Sequence, residues 1–299
     1  MGKGGNVPVW AWELAMVGAT VIWGGSFVVL KGALDAMSAG WLMTLRFALS
    51  TLALSALFWP RLRDNLDGSH LVAGLAVGVL EGLAFVVQNV GLSLTTPGRN
   101  AFLTATYVVM TPFLVALLAR RAPRASSVGA AILCLAGIGL LSLGDDLSPS
   151  LGAGDWLTLL SALLFAAQMT LMGRLAPAHD VVTLTACMFG AGTLTCLAYS
   201  LVAEPLPDLV GLPADFWWQL AYVVLLATLV ALLVQNKVQE HVSPSKAALL
   251  SSLESVFGVV FSVALYGEEV TPQILAGFCL IFVAIVLSEM APGGKRQEA

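Results

Sequence analysis

Polar residues punctuate this chain sparingly, and between them it is almost continuously apolar. The apolar runs number ten, with cores at 14–30, 39–59, 71–92, 101–119 and 128–143 in the first half and 156–172, 181–202, 216–234, 247–266 and 274–287 in the second. A helix needs roughly 17 to 25 apolar residues to cross a bilayer. Most of the runs comply; the fifth and tenth are short. The pattern predicts an all-α membrane protein of ten transmembrane helices. No connection is long enough for a soluble domain, the longest, "EPLPDLVGLPAD", being a proline-punctuated loop. No small-residue cleavage site follows the first run, so it reads as a retained helix rather than a signal peptide.

Composition fixes the solvent. The chain is 58% apolar and 11% charged, against about 25% charged in ordinary soluble domains, and its mean hydropathy is +0.89. Such a chain cannot cover a water-facing surface, so the lipid bilayer is its expected partner. The net charge of −4 and the scattered basic residues give no nucleic-acid footprint. Cys134, Cys187, Cys196 and Cys279 all lie inside apolar runs at spacings that fit neither a zinc site nor a CxxC pair, and read as small packing residues. No cofactor or metal is implied.

Orientation follows from lysine and arginine. With a cytoplasmic N-terminus, the inner segments collect Lys3, Arg61, Arg63, Arg120, Arg121, Arg124, Arg174, Lys237, Lys246, Lys295 and Arg296, while the outer loops hold only Lys31 and Arg99. That asymmetry obeys the positive-inside rule and places both termini in the cytoplasm. Arg46 lies within the second helix.

One sentence is written twice. "FVVQNVGLSLTTPGRNAFLTATYVV" at 85–109 and "LLVQNKVQEHVSPSKAALLSSLESV" at 232–256 match at seven of 25 positions when shifted by 147, including Gln88-Asn89 with Gln235-Asn236 and Pro97 with Pro244. Shared apolar composition would not match a Gln-Asn pair and a later proline. The chain therefore divides into five-helix repeats at 1–146 and 147–299. Because five is odd, the second repeat enters the membrane inverted, the arrangement of secondary transporters with a midplane site between the halves.

The same residues resemble a known family. "IWGGSFVVLK" in the first helix, "RF" in the second, "QNVGLSLTTPGRNAFLTATYVVMTP" and "SPSKAALLSSLESVFGVVFSVALYGEE" are similar to the ten-helix EamA-type transporters of the drug/metabolite transporter superfamily. The match runs over both halves, and the ninth-helix stretch is its most specific part. The resemblance implies a bacterial inner-membrane exporter with a central cavity, most similar to amino-acid exporters that accept aromatic substrates.

Ionisable groups at bilayer depth cost about 2.5–3.5 kcal/mol each on insertion scales and each needs a reason. Glu81, Glu254 and Arg46 qualify. The two carboxyls are the candidate proton carriers, though Glu81 could instead neutralise Arg46, whose stem could also snorkel outward. On the fourth helix Asn100, Thr104, Tyr107 and Thr111 line one face, and their repeat partners are Ala247, Ser251, Glu254 and Gly258. Gln88 shares a face with Glu81, while Gln235 belongs nearer the inner end. Gly74, Gly78 and Gly82 would let a neighbouring backbone approach, and Pro112 predicts a kink.

The expected cavity has an apolar wall of Trp23, Phe85, Tyr107, Phe165, Met169 and Met172. Ser26, Gln88, Thr104, Gln168, Ser251 and Glu254 would hold a solute's polar end. Competing structural roles exist: Ser and Thr can bond to their own helix, and Gln can join helices. The short fifth and tenth helices are expected at the periphery, where a homodimer contact can form. The expected activity is export of small neutral or zwitterionic solutes by alternating access. A phosphorylated substrate would want more cations than Arg46 alone. His70, His179 and His241 carry no ligand motif, no GxxxxGK[ST] is present, and no nucleophile–base pair suggests an enzyme.

Overall fold

The computed structural model describes residues 8–141 and 151–290, and all regular structure in them is helical. In chain order the apolar helices are α1 (Trp10–Leu34), α2 (Ala39–Leu57), α3 (Gly68–Ser93), α4 (Pro97–Leu118), α5 (Ala125–Leu140), α6 (Ala153–Ala178), α7 (Val181–Ala203), α8 (Ala214–Gln239), α9 (Pro244–Tyr266) and α10 (Pro272–Leu287). Eight are long and apolar enough to cross a membrane; α5 and α10 fall in the 10–17-residue class. A short helix with two arginines, Trp59–Asn65, joins α2 to α3. The 146/147 boundary and Lys3, Lys295 and Arg296 lie outside the described residues.

The doubled sentence has a local physical content. Thr96 and Ser243, at the repeat offset, are the N-caps of α4 and α9, their hydroxyls accepting from the backbone N–H of Arg99 and Lys246. Pro97 and Pro244 follow at the first helical position, where proline's missing N–H costs nothing. The Gln-Asn pairs split their work by facing. Asn89 donates to Phe85 O at 2.8 Å and Met43 Sδ at 3.3 Å, joining α3 to α2. Asn236 donates to Thr185 Oγ1 at 3.0 Å, joining α8 to α7. Gln88 and Gln235 turn the other way, into the space between the helices.

Packing partners also come in twos at the same offset. Helix α1 runs along α9, and α6 along α4; α3 lies on α6, and α8 on α1. Helices α2 and α7, α4 and α9, and α5 and α10 pair with their own repeat partners. Helix α4 is interrupted at Thr106, between Pro97–Ala105 and Tyr107–Leu118. The break precedes Pro112 by more than a turn, so the distortion the proline was expected to cause sits farther toward the N-terminus. Thr106 Oγ1 instead donates to Leu103 O at 2.6 Å, and the Val109 N–H bonds back to Thr106 O, a tightened i+3 turn. Helix α9 has no equivalent break but ends in a π-helical segment, Ser262–Tyr266.

Small residues set the approach of α3 to α7. A Cβ added at Gly74 would lie 2.2 Å from Cys187 Cβ, and one at Gly78 would lie 2.3 Å from Met188 O. Without a hydrophobic drive between helices in lipid, such close packing holds them together. Gly78→Val is therefore expected to destabilise the detergent-solubilised protein by about 1–3 kcal/mol, the usual range for overpacking. Gly68→Ala, where nothing lies within 4 Å of the new Cβ, should leave the melting temperature unchanged or slightly raised. Equal melting of both variants would show that the α3–α7 approach does not limit stability.

Candidate functional site

Apolar side chains gather into two cores. One surrounds α1, α2, α3, α7 and α8; the other surrounds α4, α5, α9 and α10, and α6 contributes to both. Phe165 packs against each. At this seam lies a cavity walled by Trp23, Phe27, Leu30, Phe85, Phe165 and Met169. Its polar lining comprises Ser26, Arg46, Glu81, Gln88 and Thr104 from the first half and Gln235, Ser251 and Glu254 from the second, with Tyr107 and Leu232 completing it. It leaves about 50 Å³ open to the centre of a water molecule, enough for a few waters at roughly 10–15 Å³ each. That space is smaller than an aromatic amino acid.

The polar groups are arranged unevenly. Tyr107 and Glu254, repeat partners 147 residues apart, meet directly, the phenol donating to Glu254 Oε1 at 3.2 Å. Gln88 Nε2 donates to Thr104 Oγ1 at 3.1 Å. Trp23 Nε1 donates to Ala227 O at 2.8 Å, which holds the indole across the cavity's edge. Ser26 and Ser251 bond back to their own helices at Trp23 O and Ala247 O while still lining the space. Of the four polar residues on the α4 face, Asn100 donates to Thr158 Oγ1 at 2.7 Å and Thr111 to Tyr107 O at 2.7 Å, so both serve packing rather than the cavity.

Arg46 was not foreseen as part of the site. Its side chain is only 1% exposed and turns inward rather than snorkelling. Arg46 Nε donates to Thr228 Oγ1 at 2.5 Å and Nη2 to Ala227 O at 3.3 Å. Both acceptors belong to a π-helical segment of α8, Tyr222–Val230, a distortion that recurs at functional sites. The guanidinium carbon lies 4.1 Å from the centre of the Phe85 ring, a cation–π contact. Glu81, midway along α3 and 1% exposed, makes no ion pair with it among the described residues. Glu81 Oε1 has no hydrogen-bond partner.

Eleven of the thirteen side chains expected at the site line this cavity; Gln168 and Met172 do not. Both are fully buried in the packing around α6, and Gln168 Nε2 faces Met188 Sδ at 3.7 Å. Phe27, Leu30 and Leu232 were missed because nothing distinguishes an apolar lining residue from its apolar neighbours. For Arg46 the signal existed: a charge in an apolar run, with Thr228 a lone polar residue in "VVLLATLV".

The two ends of the bundle carry the remaining ionic chemistry. At one, Arg99 pairs with Asp155 at 2.8 Å, Glu268 accepts from Thr96, Ser262 and the Gly98 N–H, and Lys31 Nζ donates to Leu92 O and Thr95 O at 2.8 Å. At the other, Lys246 pairs with Glu13 and Trp12 stacks on His241. His70 and His179, distant in sequence, meet there with ring centres 5.0 Å apart. His70 already has partners in Asp67 and the Asp180 N–H. Burial pushes the Asp180 carboxyl up, but hydrogen bonds from Arg61 and Thr183 outweigh it and hold it below the usual carboxylate range.

Apolar membrane-length helices around a buried cavity with a few convergent polar groups define a multi-pass membrane transporter. The chain belongs to the EamA-like transporter family, whose model matches it twice, over residues 10–143 and 152–290. Two proteins of Archaeoglobus fulgidus, each described as an uncharacterized transporter, are similar to it. One is 29% identical over 281 residues, covering 92% of this chain and 84% of the relative. The other is 26% identical over 261 residues, covering 83% and 87%. A solved crystal structure of a protein aligns with a TM-score of 0.68 over 93% of this chain and 97% of its own; at 16% identity it shows the fold alone.

The Tyr107–Glu254 contact links the two halves of the chain inside the membrane. Tyr107→Phe should destabilise the protein by about 1–3 kcal/mol, the cost of leaving a buried acceptor unsatisfied. Combined with Glu254→Ala, which removes that acceptor, the loss should be smaller than the sum of the two single losses. Additive losses in the thermal unfolding of the two single variants and the double would contradict a direct coupling.

Proposed function

We propose that the protein is a secondary transporter that exports small neutral or zwitterionic solutes, amino acids including aromatic ones among them, by alternating access. The observation that carries this reading is the cavity itself. Aromatic and Met side chains form its wall, while an arginine, two carboxyls and two glutamines reach into it. An apolar cavity with a few convergent polar groups suits a solute with one apolar end and one polar end. Met169 adds a flexible surface able to accept varied side chains.

The proposed machine is two inverted five-helix halves, 1–146 and 147–299, with ten membrane crossings. Support comes from the packing pairs repeated at the sequence offset, and from the meeting of Tyr107 with its own repeat partner. In such an arrangement α5 and α10 complete the ten crossings. They pack closely on each other, a Cβ at Gly137 falling 2.7 Å from Ile281 Cγ1, and offer an outer face for a homodimer. The basic-residue asymmetry supports cytoplasmic termini, and the resemblance to EamA-type exporters supports a bacterial inner membrane.

A phosphorylated or nucleotide-linked solute fits less well. The cavity's one guanidinium already gives two donors to Thr228 and Ala227, and two carboxyls share the space with it. Glu254 and Glu81 are the proposed proton carriers if export is driven by a proton gradient.

Exchange of labelled phenylalanine, threonine, lysine and a sugar across proteoliposome membranes, with and without a pH gradient, tests the reading. Saturable phenylalanine exchange without lysine or sugar exchange is expected. Acceleration by the gradient that disappears in Glu254→Gln would assign the proton to that carboxyl. Exchange of the sugar in preference to phenylalanine would overturn the amino-acid assignment.

A further inference from the structure

Arg46 and Glu81 present an unusual electrostatic arrangement. Both line the cavity and both are 1% exposed. Opposite charges attract most strongly where the surroundings are apolar, and a guanidinium and a carboxylate that share a cavity can join through two parallel hydrogen bonds. Here they do not. Arg46 is held away by Thr228 and the Ala227 carbonyl on α8, and one face of its guanidinium lies on Phe85. Phe85 stands one turn along α3 from Glu81, so its ring covers the guanidinium from the carboxyl's own helix. Arg46 Nη1 is left with only the Met43 thioether, at 3.8 Å, and sulfur is a weak acceptor. Glu81 Oε1 is buried with no hydrogen-bond partner among the described residues.

The pair is therefore incomplete in a complementary way: a guanidinium nitrogen lacks an oxygen acceptor, and a carboxyl oxygen lacks a donor. We propose that Arg46 and Glu81 form a divided seat for a zwitterion, the guanidinium taking the solute's carboxylate and Glu81 its ammonium. This deepens the amino-acid reading above and rests on it. An α-amino acid carries both charges on one carbon atom, so a single small head group can satisfy both sides. Its side chain then meets Phe165 and Tyr107, the aromatic groups beside the seat. Glu254 is the weaker candidate for the ammonium because its Oε1 already accepts from Tyr107. The seat specifies a solute with both charges and disfavours amines, carboxylic acids and sugars that carry one or neither.

Isothermal titration of the full-length protein in lipid nanodiscs separates the two halves of the seat. The ligands are phenylalanine, N-acetylphenylalanine, which lacks the ammonium, and phenylalaninamide, which lacks the carboxylate. Wild type is expected to bind phenylalanine about tenfold or more tightly than either analogue, the scale of one charge-assisted hydrogen bond. Glu81→Gln, close to isosteric, should weaken phenylalanine by a similar factor and leave N-acetylphenylalanine unchanged. Arg46→Lys should weaken phenylalanine and leave phenylalaninamide unchanged; if that variant does not fold, the Glu81→Gln comparison decides alone. Phenylalanine binding that Glu81→Gln leaves intact, or equal weakening of phenylalanine and N-acetylphenylalanine, overturns the seat while the amino-acid reading stands. Failure of wild type to bind phenylalanine overturns that reading and the seat with it.

Discussion

In hydrocarbon, a polar group has nothing to bond to but the protein itself. That constraint organises the whole molecule. It makes every regular element among the described residues a helix, because only a helix satisfies its own N–H and C=O groups within one apolar segment. It places Asn89 and Asn236 against neighbouring helices, Lys31 over the last carbonyls of α3, and Trp23 on Ala227 O. In the cavity, Glu81 keeps an oxygen without a hydrogen-bond partner and Arg46 is tied to Thr228 of α8. In the proposed seat these are the bonds that a solute would complete.

The repeat gives this site its geometry. In the proposed arrangement, a sequence written twice with the second copy inverted sends equivalent side chains toward one place from opposite directions. Tyr107 and Glu254 are repeat partners that touch each other directly. They are also where the copies differ chemically, a phenol on one side and a carboxyl on the other. Pro112, the interruption at Thr106 and the π segment at the end of α9 distinguish the halves mechanically as well. Near-symmetry positions the helices, and its violations supply the chemistry.

Much of this was legible in the sequence because membrane helices announce themselves by length and apolarity, and because buried charge is rare enough to notice. The helix order, the repeat, the close α3 packing and most of the cavity lining could be read from spacing alone. The misplacements have physical reasons. Gln168 and Met172 share one face of α6 with Phe165 and Met169, but Met172 lies seven residues, about 10 Å, farther along the axis than Phe165, and only Phe165 and Met169 reach the cavity. Arg46 was visible as a deep charge, yet its inward course depends on a π segment in α8 that no pattern in "YVVLLATLV" reveals. The meeting of His70 and His179 depends on how α3 meets α7, which spacing cannot supply.

The central claim is that the repeated hairpins face opposite sides of the membrane. Leu94 and His241 are repeat partners, both exposed, in the turns that join α3 to α4 and α8 to α9. Cysteines placed singly at these positions, in a background with the four native cysteines replaced, can be probed with a membrane-impermeant maleimide in intact cells. The account predicts that Leu94→Cys labels from outside and that His241→Cys labels only after the membrane is permeabilised. Labelling of both positions from the same side would contradict the inverted arrangement on which the shared site depends.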